Sequence, residues 1–362
     1  MDLSLRRSLR IRSNTFRSFF NSSDRFHFEG LYVKGGQGSI YKLKYNELRN
    51  GVRSCRRLVV KVADPIRGSD VEGLIQEKEI LKSLRHCQHI VNVVELPYDP
   101  LASSKHFGWE WMYLDEIENG TLTSFMERAK VLGLRTLPNR ILWRIFLCMV
   151  RACIAMAWPI NFPSDTETTT SCSDEPTGLA HNDIHGSNFM FGTLADAPEH
   201  DVFPILKLLD FGLARVIPSY RMRSSGTGEQ HNVQDIGIMM ASVLRLQTHS
   251  KYTGAEVEID LSKLGYSPNT LSPAAGILGD PEYGEPDPLP HIDRDMRLIV
   301  AACMANEHRD RPSLVDLERW IYSEVSNTYP AYYGANPGGA RWEDNTTIKE
   351  ILQECILNAP WY

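Results

Sequence analysis

His181-Asn182-Asp183-Ile184-His185-Gly186-Ser187-Asn188, answered downstream by Leu209-Asp210-Phe211-Gly212, is the stretch on which the reading of this 362-residue chain turns. Short apolar runs at Phe189–Phe191 and Ile205–Leu209 flank a polar, proline-containing connection. They read as two strands, so carboxylates and amides gather where strands begin and end. His181 and His185 stand four apart, a spacing open to a metal pair or to a packing histidine with a solvated neighbour. Upstream, Leu122–Leu132 and Arg140–Ala157 are helical, and the second is apolar on most faces and therefore a buried helix. Between it and the loop, Pro159–Pro176 carries SDTETTTSCSDEP, a composition that cannot bury a core and reads as a disordered surface insert.

Further toward the N-terminus the period changes from helical to alternating. Phe26–Val33 alternates apolar and polar residues, a glycine cluster follows, and Ser39–Tyr45 alternates again, which predicts a hairpin. Arg57–Val62 is a third strand, Val71–Leu84 a helix, and Ile90–Leu96 and Trp109–Leu114 two further strands. Lys61 sits inside the apolar strand Val59-Val60-Lys61-Val62, where a buried ammonium is costly unless paired. Beyond the loop, Val233–Leu246, Asp293–Asn306 and Pro312–Ser326 are helices, with a Gly/Pro-rich stretch at Ser267–His291. The tail, Asn327–Tyr362, ends in an amphipathic segment near Ile348–Leu357, and Tyr332, Tyr333 or Trp342 are its candidates for packing on the rest. A β-rich part followed by an α-rich part predicts an α+β, two-lobed chain, with a ligand cleft between the lobes.

Composition excludes little. Net charge is −6, which gives no global reason to expect nucleic acid, and 42% hydrophobic with 23% charged residues suits a soluble globular protein. Through Arg17 the chain sets Arg6, Arg7, Arg10, Arg12 and Arg17 against a lone Asp2, so residues 1–25 read as a basic arm. Its plain reading is a solvated, disordered segment. A transit peptide and an arm attracted to anionic surfaces are the alternatives. Seven scattered cysteines without a CxxC pair indicate neither a zinc site nor a disulfide framework, and suit a reducing, intracellular compartment, cytoplasmic or nuclear. The run Ile141–Trp158 is interrupted by Arg144 and Arg151, so no membrane span is expected.

From about residue 28 to 325 the motifs resemble, in order, those of the protein kinase superfamily. The resemblance implies a bilobal protein-kinase-like fold: a small β-rich N-lobe with one helix over 26–117, and a larger α-helical C-lobe over 118–325 carrying the surface insert 159–177. The arm 1–25 and tail 326–362 lie outside it. It implies ATP and Mg2+ as cofactors. Gly35, Gly36 and Gly38 would form the loop over the phosphates, with Ile40 and Val59 over the adenine and Asp115 and Ile117 in the hinge. Lys61 matches the strand lysine and Glu77 its helix partner, with Glu79 the competitor. His181–Asn188 matches H-R-D-L-x-x-x-N, with Asp183 orienting the acceptor hydroxyl and Asn188 and Asp210 holding metal. Asn232 replaces the Asp that usually steadies this loop, and Arg311-Pro312 resembles a late structural motif.

The departures bear on the acceptor. Asn182 replaces the arginine that pairs with a phosphorylated activation loop, so activity independent of such phosphorylation is expected. About twenty residues separate Gly212 from Asn232 and no A-P-E motif follows, which removes the usual peptide platform and the partner of Arg311. Val33 and Val59 alter the nucleotide pocket. Such loops resemble those of divergent kinases of filamentous fungi. Three readings stand. The first is a serine/threonine kinase acting on a protein substrate, the second a small-molecule kinase of aminoglycoside or choline kinase type, and the third a nucleotide-binding pseudokinase.

Overall fold

Alternation of apolar and polar residues builds the first part of the chain. In a computed structural model describing residues 3–34, 38–49, 52–63, 68–160, 166–169, 175–195, 197–218, 226–248, 252–279, 286–336 and 338–357, β1 (Phe26–Lys34), β2 (Gly38–Arg49), β3 (Val52–Ala63), β4 (Val93–Val94) and β5 (Trp111–Asp115) form one antiparallel sheet. Its order is β1-β2-β3-β5-β4. Because side chains alternate across a strand, paired residues sort into two faces. Tyr41, Val60 and Tyr113 stand in one row and Phe28, Leu43 and Leu58 in the next, all buried. The opposite face carries Ile40, Lys61 and Met112 in register.

The buried aromatic face is covered by a helix that composition argues against. α1 (Leu3–Phe20) occupies most of the stretch expected to be a disordered arm. Phe16 and Phe20, four apart and so on one side of the helix, are fully buried. The Phe16 ring meets Tyr41 edge-on at 4.8 Å and Trp109 at 4.9 Å, and Phe20 stacks on Phe28 at 5.9 Å. Aromatic burial outweighs the arginine-rich composition, and residues 1–25 belong to the first unit. The second face receives α2 (Gly68–Ser83), whose Leu74 and Leu81 are buried. Residues 90–96, expected as one strand, supply only the two-residue β4.

By its contacts the chain divides into two units, 1–85 with 91–116, and 86–90 with 117–362. Segment 86–90 joins the second because His89 donates its amide to Glu167 and accepts from the Leu208 amide. In that unit follow α3 (Leu122–Val131), α4 (Asn139–Ala157), β6 (Leu179–Ala180), β7 (Phe189–Phe191), β8 (Leu206–Leu208), β9 (Arg215–Val216) and α5 (Gly228–Leu244). They are followed by β10 (Val257–Ile259), β11 (Thr270–Ser272), α6 (Ala275–Leu278), α7 (Arg294–Cys303), α8 (Leu314–Asn327), α9 (Gly339–Trp342) and α10 (Asn345–Leu352). Every residue of α4 is buried, arginines included, and α4 packs on α5 and α8. No described helix is long and apolar enough to cross a membrane.

Two polar features hold this unit in ways that composition conceals. The insert expected to be disordered is pinned over its described residues 166–169. Glu167 is fully buried on His89, and the Thr169 amide donates to Glu318 Oε2 at 2.7 Å. The same Glu318 pairs with the buried Arg151, which also reaches Glu199 at 3.2 Å. In the tail, Tyr333 is buried and Trp342 half-exposed. Glu343, 1% exposed, accepts the amides of Asn139 at 2.8 Å and Arg140 at 3.0 Å. A helix start has orphan donors, and Pro138 before α4 offers no side-chain cap. The tail carboxylate supplies one.

Candidate functional site

Two clusters hold the residues singled out from the sequence, one in each unit. In the first, Gly38 opens β2 against Ala63, and a Cβ there would lie 2.3 Å from the Val62 carbonyl oxygen, so the close approach of β2 and β3 requires glycine. Gly35 and Gly36 lie outside the described residues. Ile40 pairs with Lys61 across the sheet, and Val59 pairs with Leu114 on the same face. From that face Lys61 Nζ reaches α2 and donates to both oxygens of Glu77, at 2.9 and 2.8 Å. Glu77 is 2% exposed, and a buried carboxylate of this kind is tolerated because it is paired. Glu79 lies on the solvent side of α2, bridged to Lys82.

Asp115 and Ile117, expected in a hinge, fall at the end of the first unit and the start of the second. Asp115 is gripped through both carboxylate oxygens by the Arg56 guanidinium, at 2.6 and 2.8 Å, with Asn92 Nδ2 adding a third contact at 3.2 Å. Its side chain is therefore committed to β3, and only backbone groups of this residue are offered to a ligand. Glu116 is held by Lys42 at 2.5 Å, and half-buried Ile117 opens the second unit.

In the second unit the loop 181–188 is held by a set of mutually consistent hydrogen bonds. His181 is fully buried with its ring edge-on to Phe211 at 4.7 Å. Its Nε2 faces the Leu209 carbonyl at 3.0 Å and its Nδ1 accepts the Asp183 amide at 3.3 Å. One nitrogen donating and the other accepting defines a neutral imidazole. Burial agrees, holding the ring's pKa down at about 4. His181 is thus a packing residue, and His185 sits apart at the rim with Nε2 3.6 Å from Asp183 Oδ2. Asn232, 1% exposed, accepts the His181 amide at 2.9 Å and donates to the Leu179 carbonyl at 2.8 Å. An aspartate could only accept, so asparagine satisfies one more group here.

Asp183 and Asn188 are directly joined. Asn188 Nδ2 donates to the Asp183 carbonyl at 2.9 Å and to its Oδ2 at 3.0 Å. The Leu209 amide donates to the Asn188 carbonyl at 2.8 Å, as β7 and β8 pair, which sets Asp210 beside this loop in the chain order. Asp210 has φ 58° and Asn182 φ 63°, left-handed conformations that Asp and Asn tolerate better than most residues. Asn182 donates to the carbonyls of Ala180 and Leu213, tying the loop to the segment after Phe211-Gly212. A Cβ at Gly186 would fall 2.6 Å from Thr123 Oγ1. Arg311 donates to the carbonyls of Ala305, Gln230 and Asn306. The segment between Gly212 and Asn232 is described only in part, residues 219–225 lying outside.

Sequence reasoning missed a cavity of about 350 Å3 beside Asp183, lined also by His185, Asp235, Ser242, Gln247 and Thr248. Thr248 Oγ1 is buried there with no hydrogen-bond partner among the described residues. The loop 181–188 supplies one wall, and the part no motif announces is Asp235 and Ser242 on one face of α5 with Gln247 and Thr248 after the turn that ends it. No protein-family model matches the chain, and no curated protein matches its sequence.

Proposed function

We propose that this chain is an ATP-dependent phosphotransferase with a bilobal protein-kinase-like fold, moving the γ-phosphate of Mg-ATP to a hydroxyl, with serine or threonine of a protein as acceptor. The observation that carries the reading is the bond between Asn188 and Asp183. With Nδ2 given to Asp183, the amide presents Oδ1 as its ligand atom. Together with the Asp210 carboxylate this makes an all-oxygen donor set, which fits a hard cation such as magnesium. When bound, that ion neutralises charge on the β- and γ-phosphates. Asp183 Oδ2 is taken by Asn188, so Oδ1 orients the acceptor hydroxyl and receives its proton. Lys61, aimed by both oxygens of Glu77, binds phosphate oxygens. Catalysis of this type asks for position and charge, and these residues supply both.

The test is ATP turnover with and without magnesium, in wild type, Asp183→Ala and Lys61→Ala. Both variants should fall by at least about a hundredfold, and an unaffected Lys61→Ala would refute the assignment. A small-molecule acceptor is the second reading, favoured by the polar 350 Å3 cavity at Asp183. Turnover stimulated by small hydroxyl compounds and by no protein would select it. Magnesium-dependent ATP binding without turnover would make the chain a nucleotide-binding module.

A further inference from the structure

His89, Cys148 and His200 come from three distant parts of the second unit and meet in its interior. Their ligating atoms all lie within 4.8 Å of one another, and all three residues are buried. The two histidines are oriented by groups outside the trio. His89 Nδ1 faces Glu167 Oε2 at 2.9 Å, while the same carboxylate takes the His89 amide through Oε1 at 2.8 Å. His200 Nδ1 faces the Phe203 carbonyl at 3.3 Å, and a carbonyl only accepts. Both rings therefore carry a proton on Nδ1 and turn Nε2 inward, where the two Nε2 atoms stand 3.2 Å apart. A carboxylate or carbonyl behind the outer nitrogen is the usual support of a metal-binding histidine.

We propose that His89 Nε2, His200 Nε2 and Cys148 Sγ form a structural zinc site, with Glu167 and the Phe203 carbonyl as its supporting shell. Two nitrogens about 2.05 Å from an ion and 3.2 Å from each other subtend about 100° at it, close to tetrahedral. Two imidazoles and a thiolate are a borderline-to-soft set that suits zinc and not magnesium or calcium. The charges also close. Zn2+ balances the Cys148 thiolate and the Glu167 carboxylate, so the dry interior gains no net charge. Binding displaces two protons, one from the thiol and one shared by the facing Nε2 atoms, and zinc takes their place. Three protein ligands leave the fourth position to a neutral water molecule.

The ion would fasten the insert, through Glu167, to α4 and to the connection at His200. The His89 carbonyl accepts the Leu208 amide at 2.8 Å, so the same anchor supports β8, whose end leads to Asp210. The site does not depend on the phosphotransfer reading, and its test does not use activity.

Full-length chain without a polyhistidine tag, gel-filtered in metal-free buffer, should carry about one zinc per chain by mass spectrometry. Cobalt(II) put in its place should give tetrahedral visible bands and a thiolate-to-cobalt charge-transfer band that Cys148→Ser abolishes. Glu167→Gln should weaken zinc about 10- to 100-fold, whereas Asp210→Asn should keep the full equivalent. Wild type with under about a tenth of an equivalent, and unstabilised by added zinc, would overturn the proposal in favour of a proton-bridged histidine pair. So would zinc retained in both Cys148→Ser and His200→Gln. Should those variants fail to fold, the wild-type stoichiometry and the cobalt spectrum decide.

Discussion

Replacing Phe16 by alanine separates a docked N-terminal helix from a free basic arm. The ring is fully buried, with Tyr41 at 4.8 Å and Trp109 at 4.9 Å in edge-on contact. Truncating a buried phenylalanine costs about 3–5 kcal/mol, lost aromatic pairing included. That is a large part of the 5–15 kcal/mol typical of a folded domain. Ile11, on the same helix but 58% exposed, is the control, and Ile11→Ala should lie within about 0.5 kcal/mol of wild type. Urea unfolding followed by tryptophan fluorescence measures both, and trypsin cleavage after Arg17 should accelerate in Phe16→Ala alone. If Phe16→Ala is as mild as Ile11→Ala, the helix does not cover the sheet and the argument from aromatic burial fails.

Lys61→Met takes the cation away from buried Glu77 and should cost about 3–5 kcal/mol in urea. The double variant Lys61→Met/Glu77→Leu should recover most of it, and a double variant as unstable as the single one would contradict this account. Glu343→Ala removes the acceptor of the first amides of α4 and should cost about 1–3 kcal/mol by the same measurement. His181 gives an acid limb to stability. Its pKa falls from 6.5 to about 4 on burial, so the unfolded chain protonates first as pH drops. Its contribution, complete above about pH 6.5, is lost toward pH 4 and amounts to about 3 kcal/mol at most. Unfolding at a series of pH values should show that slope in wild type and a flatter one in His181→Asn.

Alternation marked the strands that became β1, β2, β3 and β5 because a half-buried sheet imposes period two on its own sequence. Lys61 was conspicuous for the same reason, an ammonium in an apolar strand, and the helix spacing of Leu74, Glu77 and Leu81 put its partner on the facing side of α2. The loop 181–188 was legible because its bonds are short-range, Asp183 with Asn188 and Asp183 with His181. The i, i+4 pair Phe16 and Phe20 is a local signal of α1, masked by five arginines in the same segment.

Much of the local order was therefore written in the sequence itself: β1, β2, β3 and β5, the helices α2 to α5, α7 and α8, the lysine that needed a carboxylate, and the loop that carries Asp183 and Asn188. Tertiary structure alone decided which polar residues go inside. Glu167 is buried because His89 waits 78 residues away, and Glu343 because the bare amides of α4 lie 204 residues upstream. His89 faces His200 across 111 residues. A charge is costly to bury until its partner arrives, and partners so distant leave no period or spacing to read.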